Sequence, residues 1–252
     1  MHWTPSLVER QAWEQTAERL RAGEVSLLSL WGEPGSAYMA VLDNAANSAR
    51  VLRLPCEDGR FPSVGRLHAP AIRLERAMRD LAGLEAEGSP DLRPWLHHSA
   101  PYPFLSAEGE GLHQIPVGPV HAGIIEPGHF RFTVNGETVV RLEQRLGYAH
   151  KGIGALMSGA SLERAATLAG RVSGDSTVAY ALAFAQATEQ ALGAPVPARA
   201  VWLRALAGEL ERLANHLGDI GAVCNDASFS IMHASCGFLR EHVLRTSHAC
   251  FG

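Results

Sequence analysis

The stretch GRVSGDSTVAYALAFAQATEQALG, residues 170 to 193, decides how this chain is read. It opens as a Gly, Ser and Asp turn and continues as a helix-forming tract. That tract is apolar on most sides through its first half, the pattern of a helix central in a bundle. Asp175 or Ser176 is the expected N-cap, and Gly193 follows the expected end, giving a helix over 175–192. Ser173 and Ser176 flank Gly174 and Asp175. With cysteine at both places the run would read R-V-C-G-D-C, a thiolate pair suited to a soft metal. A serine hydroxyl stays protonated at neutral pH and is a hard donor. The turn is therefore expected to carry no such metal.

Outward from this tract the helical period persists. Residues 152–168 form one expected helix. Another, over 198–222, places Leu203, Leu206, Leu210, Leu213, Leu217 and Ile220 at alternating spacings of three and four, the seam of a helix packed on neighbours. A further helix starts near 227 and runs to about the last residue. Exposed apolar surface is expected for these helices in isolation. Upstream the period changes. HFRFTV (129–134) and ETVVRLEQRL (137–146) flank Asn135-Gly136, a strong hairpin signal. Before them EGSPDLRPWLHHSAPYPFLSAEGEG (87–111) holds Pro90, Pro94, Pro101 and Pro103, which preclude regular structure. It reads as an extended arm lying on a surface, with a domain boundary near residue 108.

The first part is mixed. A helix is expected over 7–22, strands over 25–31, 38–42 and 49–54, and a turn at DNAANS (43–48). A helix over 70–81 has Pro70 in its first turn and Gly83 after its end. Ile72, Leu74, Met78 and Leu81 are its expected apolar contacts; Arg73, Arg76, Arg79 and Asp80 are its expected polar face. The fold class is thus α+β. A small mixed α/β domain (1–107) precedes a short β-sheet that leads into an α-helical bundle (108–252).

Composition narrows the function classes. The chain has 252 residues, 46% hydrophobic, with a net charge of −4. That balance argues against a nucleic-acid partner. No apolar run approaches the roughly 20 residues that span a bilayer. The first residues lack a basic and an apolar region, so no signal peptide is expected. Cys56, Cys224, Cys236 and Cys250 form no C-x-x-C pair and read as thiols. GEPGSAY (32–38) lacks the G-x-G-x-x-G spacing, so direct NAD binding by this chain is not expected.

Two long stretches carry a family resemblance. GPVHAGIIEPGHFRFTVNGETVVRLEQRLGYAHKGI (118–153), continued by RVSGDSTVAYALAFAQATE and LRALAGELERLANHLGDIGAVCNDASF, resembles the complex I D-type subunit. It also resembles the large subunits of group 4 membrane-bound nickel–iron hydrogenases. DGRFPSVGRLHAPAIRLERAMRDLAGLEAEGSPDLRPWL (58–96) resembles the complex I C-type subunit. Fused in this order, the two are similar to the large subunit of formate-hydrogenlyase and hydrogenase-4 type complexes. Those subunits continue well past SHACFG, so the chain resembles their N-terminal part.

The resemblance implies specific roles. The hydrogenase R-x-C-G-x-C motif falls on Arg171, Ser173 and Ser176. Without thiolates, the loop of Arg171, Ser173, Asp175 and Ser176 is expected to line a quinone-type cavity instead. Glu126 in IIEPGH matches the glutamate of an E-G-H motif in a proton route, with Pro127 inserted; among Ile124, Ile125 and Phe130 its carboxyl would be desolvated. The family's quinone-binding histidine falls at Ile125 and its tyrosine near Gly174. His121, the first histidine of the D-type opening, and His129 are then the candidate proton donors beside Glu126. His113, His121 and His129 recur every eight residues, on one face if they lie on strands. His150 and Lys151 match an H-R/K-G-I motif facing a small iron–sulfur subunit. Glu75, Arg76, Asp80 and Asp91 match a signature that docks neighbouring subunits. Glu209 and Arg212 are expected to make interhelical contacts. The implied assembly is a peripheral oxidoreductase on the cytoplasmic side of the inner membrane. Quinone is its candidate substrate, iron–sulfur clusters and NAD sit in partner subunits, and proton-pump-like membrane subunits are further partners. A non-catalytic scaffold is the rival reading, and a working nickel–iron hydrogenase is the third.

Overall fold

Apolar alternation broken by Pro–Gly and Asp–Asn punctuation becomes a four-stranded sheet in the first fifty-five residues. The computed structural model describes residues 4–96, 101–120 and 125–252. Its elements begin with β1 (Ser6–Leu7), α1 (Arg10–Arg21), β2 (Val25–Glu33), β3 (Ser36–Asp43) and β4 (Ser48–Pro55). The sheet order is β1-β4-β3-β2, with β1 parallel to β4 and the rest antiparallel. GEPGSAY is the β2–β3 hairpin. Glu33 pairs with Ser36, and Gly35 takes φ +77° after Pro34, the residue order that a type II turn requires. At the next turn the Asp43 carboxylate accepts the N–H groups of Ala45 and Ala46 at 3.2 and 3.0 Å.

Helix α1 buries Trp13, Ala17 and Leu20 against the sheet, where Met39 and Val41 are fully buried. The Trp13 indole N–H donates to the Pro62 carbonyl at 3.0 Å, and its ring meets Phe61 edge-on. Burying a ring of this size contributes on the order of 2–3 kcal/mol. The indole donor is satisfied as well.

Next come β5 (Arg60–Pro62), a 3-10 turn at Ala69–Ala71, α2 (Ile72–Ala82) and β6 (Glu85–Glu87), with β5 and β6 paired in parallel. Pro70 sits in the leading turn and Gly83 ends the helix at φ +69°. The side-chain distribution on α2 departs from the sequence expectation. Leu81 is 63% exposed, whereas Glu75 and Arg76 are buried with Met78. Polar groups go inside where partners satisfy them. Glu75 finds them in the 63–65 loop and Arg76 in the proline-rich arm.

A three-stranded antiparallel sheet follows: β7 (Leu112–Val117), β8 (His129–Asn135) and β9 (Thr138–Arg145), in that order. The β8–β9 hairpin turns one residue later than its Asn-Gly pair implies. Asn135 pairs with Thr138, leaving Gly136 and Glu137 as the turn, with φ +57° at Gly136. A bulge between Thr133 and Val134 absorbs the shift. The histidine row does not form one cluster among the described residues. His113 lies opposite Val134 on one pair of strands, and His129 lies opposite Arg145 on the other.

The chain divides into two compact units, 1–150 and 151–252. The three-stranded sheet therefore falls in the first unit, although the composition changes near 108. The second unit contains α3 (Ile153–Met157), α4 (Leu162–Ala169), a 3-10 turn at Gly174–Ser176, α5 (Thr177–Leu192), α6 (Ala198–Asp226) and α7 (Ser230–Phe251). The helix expected over 152–168 is two helices. Gly159 at φ +74° breaks it, and the Ser161 hydroxyl caps α4 by accepting the Arg164 N–H at 3.3 Å. Helices α6 and α7 pack closely at Gly221, where an added Cβ would lie 3.1 Å from that of Cys236. The leucine seam of α6 is not covered within the described residues. Leu203, Leu206, Leu213 and Ile220 are between 42% and 51% exposed, and Trp202 is 76% exposed.

Candidate functional site

In the second unit, the turn between α4 and α5 is held from three sides. Lys151 donates from Nζ to the carbonyls of Arg171 and Val172 at 3.3 and 3.0 Å. Asn215 of α6 donates to the Asp175 carbonyl at 2.5 Å. Glu211 of α6 accepts the N–H groups of Val178 and Ala179 at 2.6 and 3.0 Å. The amino end of α5 is thus closed by a carboxylate from another helix. No side-chain cap comes from Ser176, and the Asp175 side chain is exposed, so the expected local N-cap is corrected. The physical reason is stoichiometric. A helix start has several unpaired N–H groups and a partial positive charge. One carboxylate satisfies two of them and carries full negative charge, where one seryl hydroxyl satisfies one.

Ser173 and Ser176 are half-buried on this turn, while Gly174 and Arg171 are exposed. Their hydroxyls do not fit a soft metal that needs thiolates, so no chemical step through such a metal belongs to this turn. Among the described residues no three His, Cys, Asp or Glu side chains converge in a metal-binding cluster. Cys236 is buried and Cys250 is exposed, both on α7. Glu209 and Arg212 pair with one another along α6 at 2.8 Å and are mostly exposed. The interhelical ion pair is instead Arg204 with Glu189, its second contact at 2.9 Å.

In the first unit the residues expected around the proton route spread apart. Glu126 is exposed, next to Ile125 at 57% exposure, so the desolvation expected for its carboxyl is absent. His129 is half-buried: Nδ1 lies 3.0 Å from the Gly118 carbonyl, and the ring sits 5.2 Å from that of Phe104. Its Nε2 is buried with no hydrogen-bond partner among the described residues. His121 lies outside the described residues. His150 is exposed, with its backbone N–H on the Gly147 carbonyl.

Arg76 and Asp91, expected at a subunit interface, are directed at the chain's own arm. Arg76 bonds Asp91 at 3.0 Å, the Arg93 carbonyl at 2.7 Å, the Pro94 carbonyl at 3.0 Å and the Tyr102 hydroxyl at 2.5 Å. Its guanidinium lies over the Trp95 ring at 5.0 Å. Asp80 accepts the N–H groups of Trp95 and Leu96, each at 2.7 Å. From β9, Glu143 meets Arg93 at 2.5 Å, and Arg145 donates to the Trp95 carbonyl at 3.0 Å. Helix α2 and strand β9 therefore grip the proline-rich arm between them. Sequence reasoning missed Arg93, Tyr102, Glu143 and Arg145 here, and Glu211 and Asn215 in the second unit. Only the concentration of Arg, Asp and aromatic residues in the arm signalled the first group.

Burial pushes the Asp91 carboxyl up. Hydrogen bonds from the Arg93 guanidinium and backbone N–H, with the charges of Arg76 and Arg93, outweigh it and hold the carboxyl below its usual range. A folded value below the unfolded one gives stability that is present above the unfolded pKa of about 3.9 and lost as pH falls through the folded value. Acid titration should therefore release the arm below about pH 4. Hydrogen exchange at Arg93 to Leu96 across that range checks this; protection unchanged down to about pH 2 would refute it.

Comparison with known proteins gives three likenesses and one family match. Residues 7–108 match the family described as respiratory-chain NADH dehydrogenase, 30 Kd subunit. The chain is 34% identical to hydrogenase-4 component G of Escherichia coli (strain K12) over 196 residues, covering 67% of this chain and 35% of that protein. It is 32% identical to formate hydrogenlyase subunit 5 of the same strain, again over 67% of this chain and 35% of the relative. It is 28% identical to a D-type subunit of the NADH-quinone oxidoreductase of Koribacter versatilis (strain Ellin345), over 62% of this chain and 39% of that one. The chain spans about a third of the length of the first two relatives.

Proposed function

We propose that this chain, whose residues 7–108 match the family described as respiratory-chain NADH dehydrogenase, 30 Kd subunit, is a subunit of a membrane-associated oxidoreductase complex. The complex is of the NADH–quinone oxidoreductase or hydrogenase-4 kind. Electrons arrive from a small iron–sulfur partner subunit and pass to a quinone head group beside the 171–176 turn. Iron–sulfur clusters and NAD belong to partner subunits. The chain lies peripherally on the cytoplasmic side of the inner membrane, against proton-pump-like membrane subunits. Among the described residues no helix is long and apolar enough to cross a membrane.

The observation that carries the reading is the turn itself. Its ends are tied by Lys151 and Glu211, and Ser173 and Ser176 present hydroxyls where a nickel–iron centre would need sulfur. A neutral ring with two carbonyl oxygens can accept hydrogen bonds from such hydroxyls. Glu126, His129 and His121 are the proposed proton-route residues of the first unit.

The test uses the intact assembly. Inhibitor-sensitive quinone reduction is expected, with nickel far below one per complex. Glu126→Gln or His129→Ala should cut turnover about a hundredfold or more, the usual scale for a general acid. Stoichiometric nickel would sink the reading. The scaffold reading is favoured by one point: neither Ile125 nor Gly174 offers a polar side chain at the positions where the family holds quinone. It predicts neither quinone turnover nor nickel, with the assembly lost when the chain is deleted.

A further inference from the structure

The Glu211 carboxylate and the Lys151 ammonium act on opposite ends of one short segment. Lys151 takes the two carbonyls that leave the α4 turn, and Glu211 takes the Val178 and Ala179 N–H groups in the first turn of α5. Between them lie Ser173, Gly174, Asp175 and Ser176, with Asn215 on the Asp175 carbonyl. An isolated Gly-containing turn samples many backbone conformations, and Gly174 has no atoms within 4 Å of where a Cβ would stand. Side-chain packing at Gly174 therefore does not fix its backbone; the hydrogen bonds from Lys151, Asn215 and Glu211 hold the segment on either side of it. The bonds are charge-assisted, which makes them stronger than neutral ones. Glu211 also fills the place at the α5 amino end that would otherwise attract an anion.

We propose that Glu211 and Lys151 are positioning residues that hold the two seryl hydroxyls in register for a neutral ring substrate, and that Glu211 makes the turn reject anionic ligands. Neither residue touches the reacting atoms. The substrate part of this inference rests on the quinone reading above; the clamp itself does not.

The experiment compares the assembled complex with its Glu211→Ala, Glu211→Gln and Lys151→Met variants. Amide exchange at Val178 and Ala179 should rise at least about tenfold in Glu211→Ala, while amides in the second half of α5 stay protected. The Michaelis constant for a short-chain ubiquinone should rise several-fold with a smaller change in turnover. Inhibition by millimolar sulfate, absent in the native complex, should appear. Glu211→Gln, which keeps one carbonyl acceptor, should recover part of each effect. Lys151→Met should instead raise exchange at Val172 and Ser176, whose N–H groups bond to the Ala169 and Ser173 carbonyls. Unchanged exchange at Val178 and Ala179 overturns the clamp whatever the turnover does. Exchange rising along all of α5 and α6 also overturns it, as a general loss of packing. Raised local exchange with unaltered quinone kinetics and no sulfate effect overturns the substrate role. An assembly with no quinone turnover fails the functional reading alone, and exchange then decides the clamp.

Discussion

Replacing Arg76 with methionine is expected to free the 91–105 arm from α2 and β9. Arg76 is 6% exposed and is the hub of the grip, bonding Asp91, two arm carbonyls and the Tyr102 hydroxyl. Methionine fills much of the volume but returns none of the five donors of the guanidinium fork. Asp91 keeps Arg93 as a partner and Pro94 keeps Arg145, so the loss is smaller than for an isolated buried charge. Removing several buried hydrogen bonds from a charged donor should still cost about 3 kcal/mol. At about 1.4 kcal/mol per factor of ten, that corresponds to roughly a hundredfold faster exchange at the Trp95 and Leu96 amides. Chymotrypsin should cut after Trp95 in the variant and not in the native protein. Lysine at position 76 should rescue little, since a point charge cannot bridge a carboxylate, two carbonyls and a hydroxyl together. Native-like protection of Trp95 in Arg76→Met would show that Arg76 is not the hub.

The parts of the fold that the sequence disclosed are those set by local chemistry. Pro34–Gly35, Asp43 and Gly136 fix turns within a few residues, and α5 to α7 follow from a sustained helical period. Strand β7 is not legible in the sequence, because Gln114 and Pro116 interrupt the apolar alternation of Leu112, Ile115 and Val117. The grip on the arm is not legible either. Arg76 finds Asp91 fifteen residues away and Arg93 finds Glu143 fifty away, and no periodicity encodes such pairs. The polar residues of α2 point to solvent in the sequence because charge is usually solvated, yet these have partners arriving from the arm. The serines and glycine locate the candidate turn, but they suggest a cap from nearby. Glu211 sits thirty-three residues beyond Val178, on a face of α6 that reads as ordinary helix polarity.

The same principle makes Glu75 a sensitive position in the first unit. Its carboxyl is 2% exposed and accepts the Val64 N–H at 2.6 Å, the Gly65 N–H at 2.8 Å and the Ser63 hydroxyl at 3.0 and 3.1 Å. Gly65 must lack a side chain here: a Cβ would lie 2.8 Å from Glu75 Oε2 and 3.1 Å from the Ile72 Cα. Glu75→Ala would leave two backbone donors and a hydroxyl buried without acceptors, at about 1–3 kcal/mol each. The expected loss is about 4 kcal/mol, enough to unfold the 63–89 segment, measured as a fall in the urea midpoint. Glu75→Gln should behave differently. Its single carbonyl oxygen can accept both N–H groups, as Oε1 does now, while its amide donates to Ser63. Burial, the largest influence, pushes the Glu75 carboxyl up despite the bonds from Gly65, Ser63 and Val64. A folded value above the unfolded one means that the group's stabilisation is complete below the unfolded pKa of about 4.3 and is lost as pH rises through the folded value. Glutamine does not titrate, so Glu75→Gln should gain on the native protein as pH rises from about 4 toward neutral. A gap between the two that widens in the native protein's favour over that range would show that the carboxylate, not the neutral acid, is the form this pocket prefers.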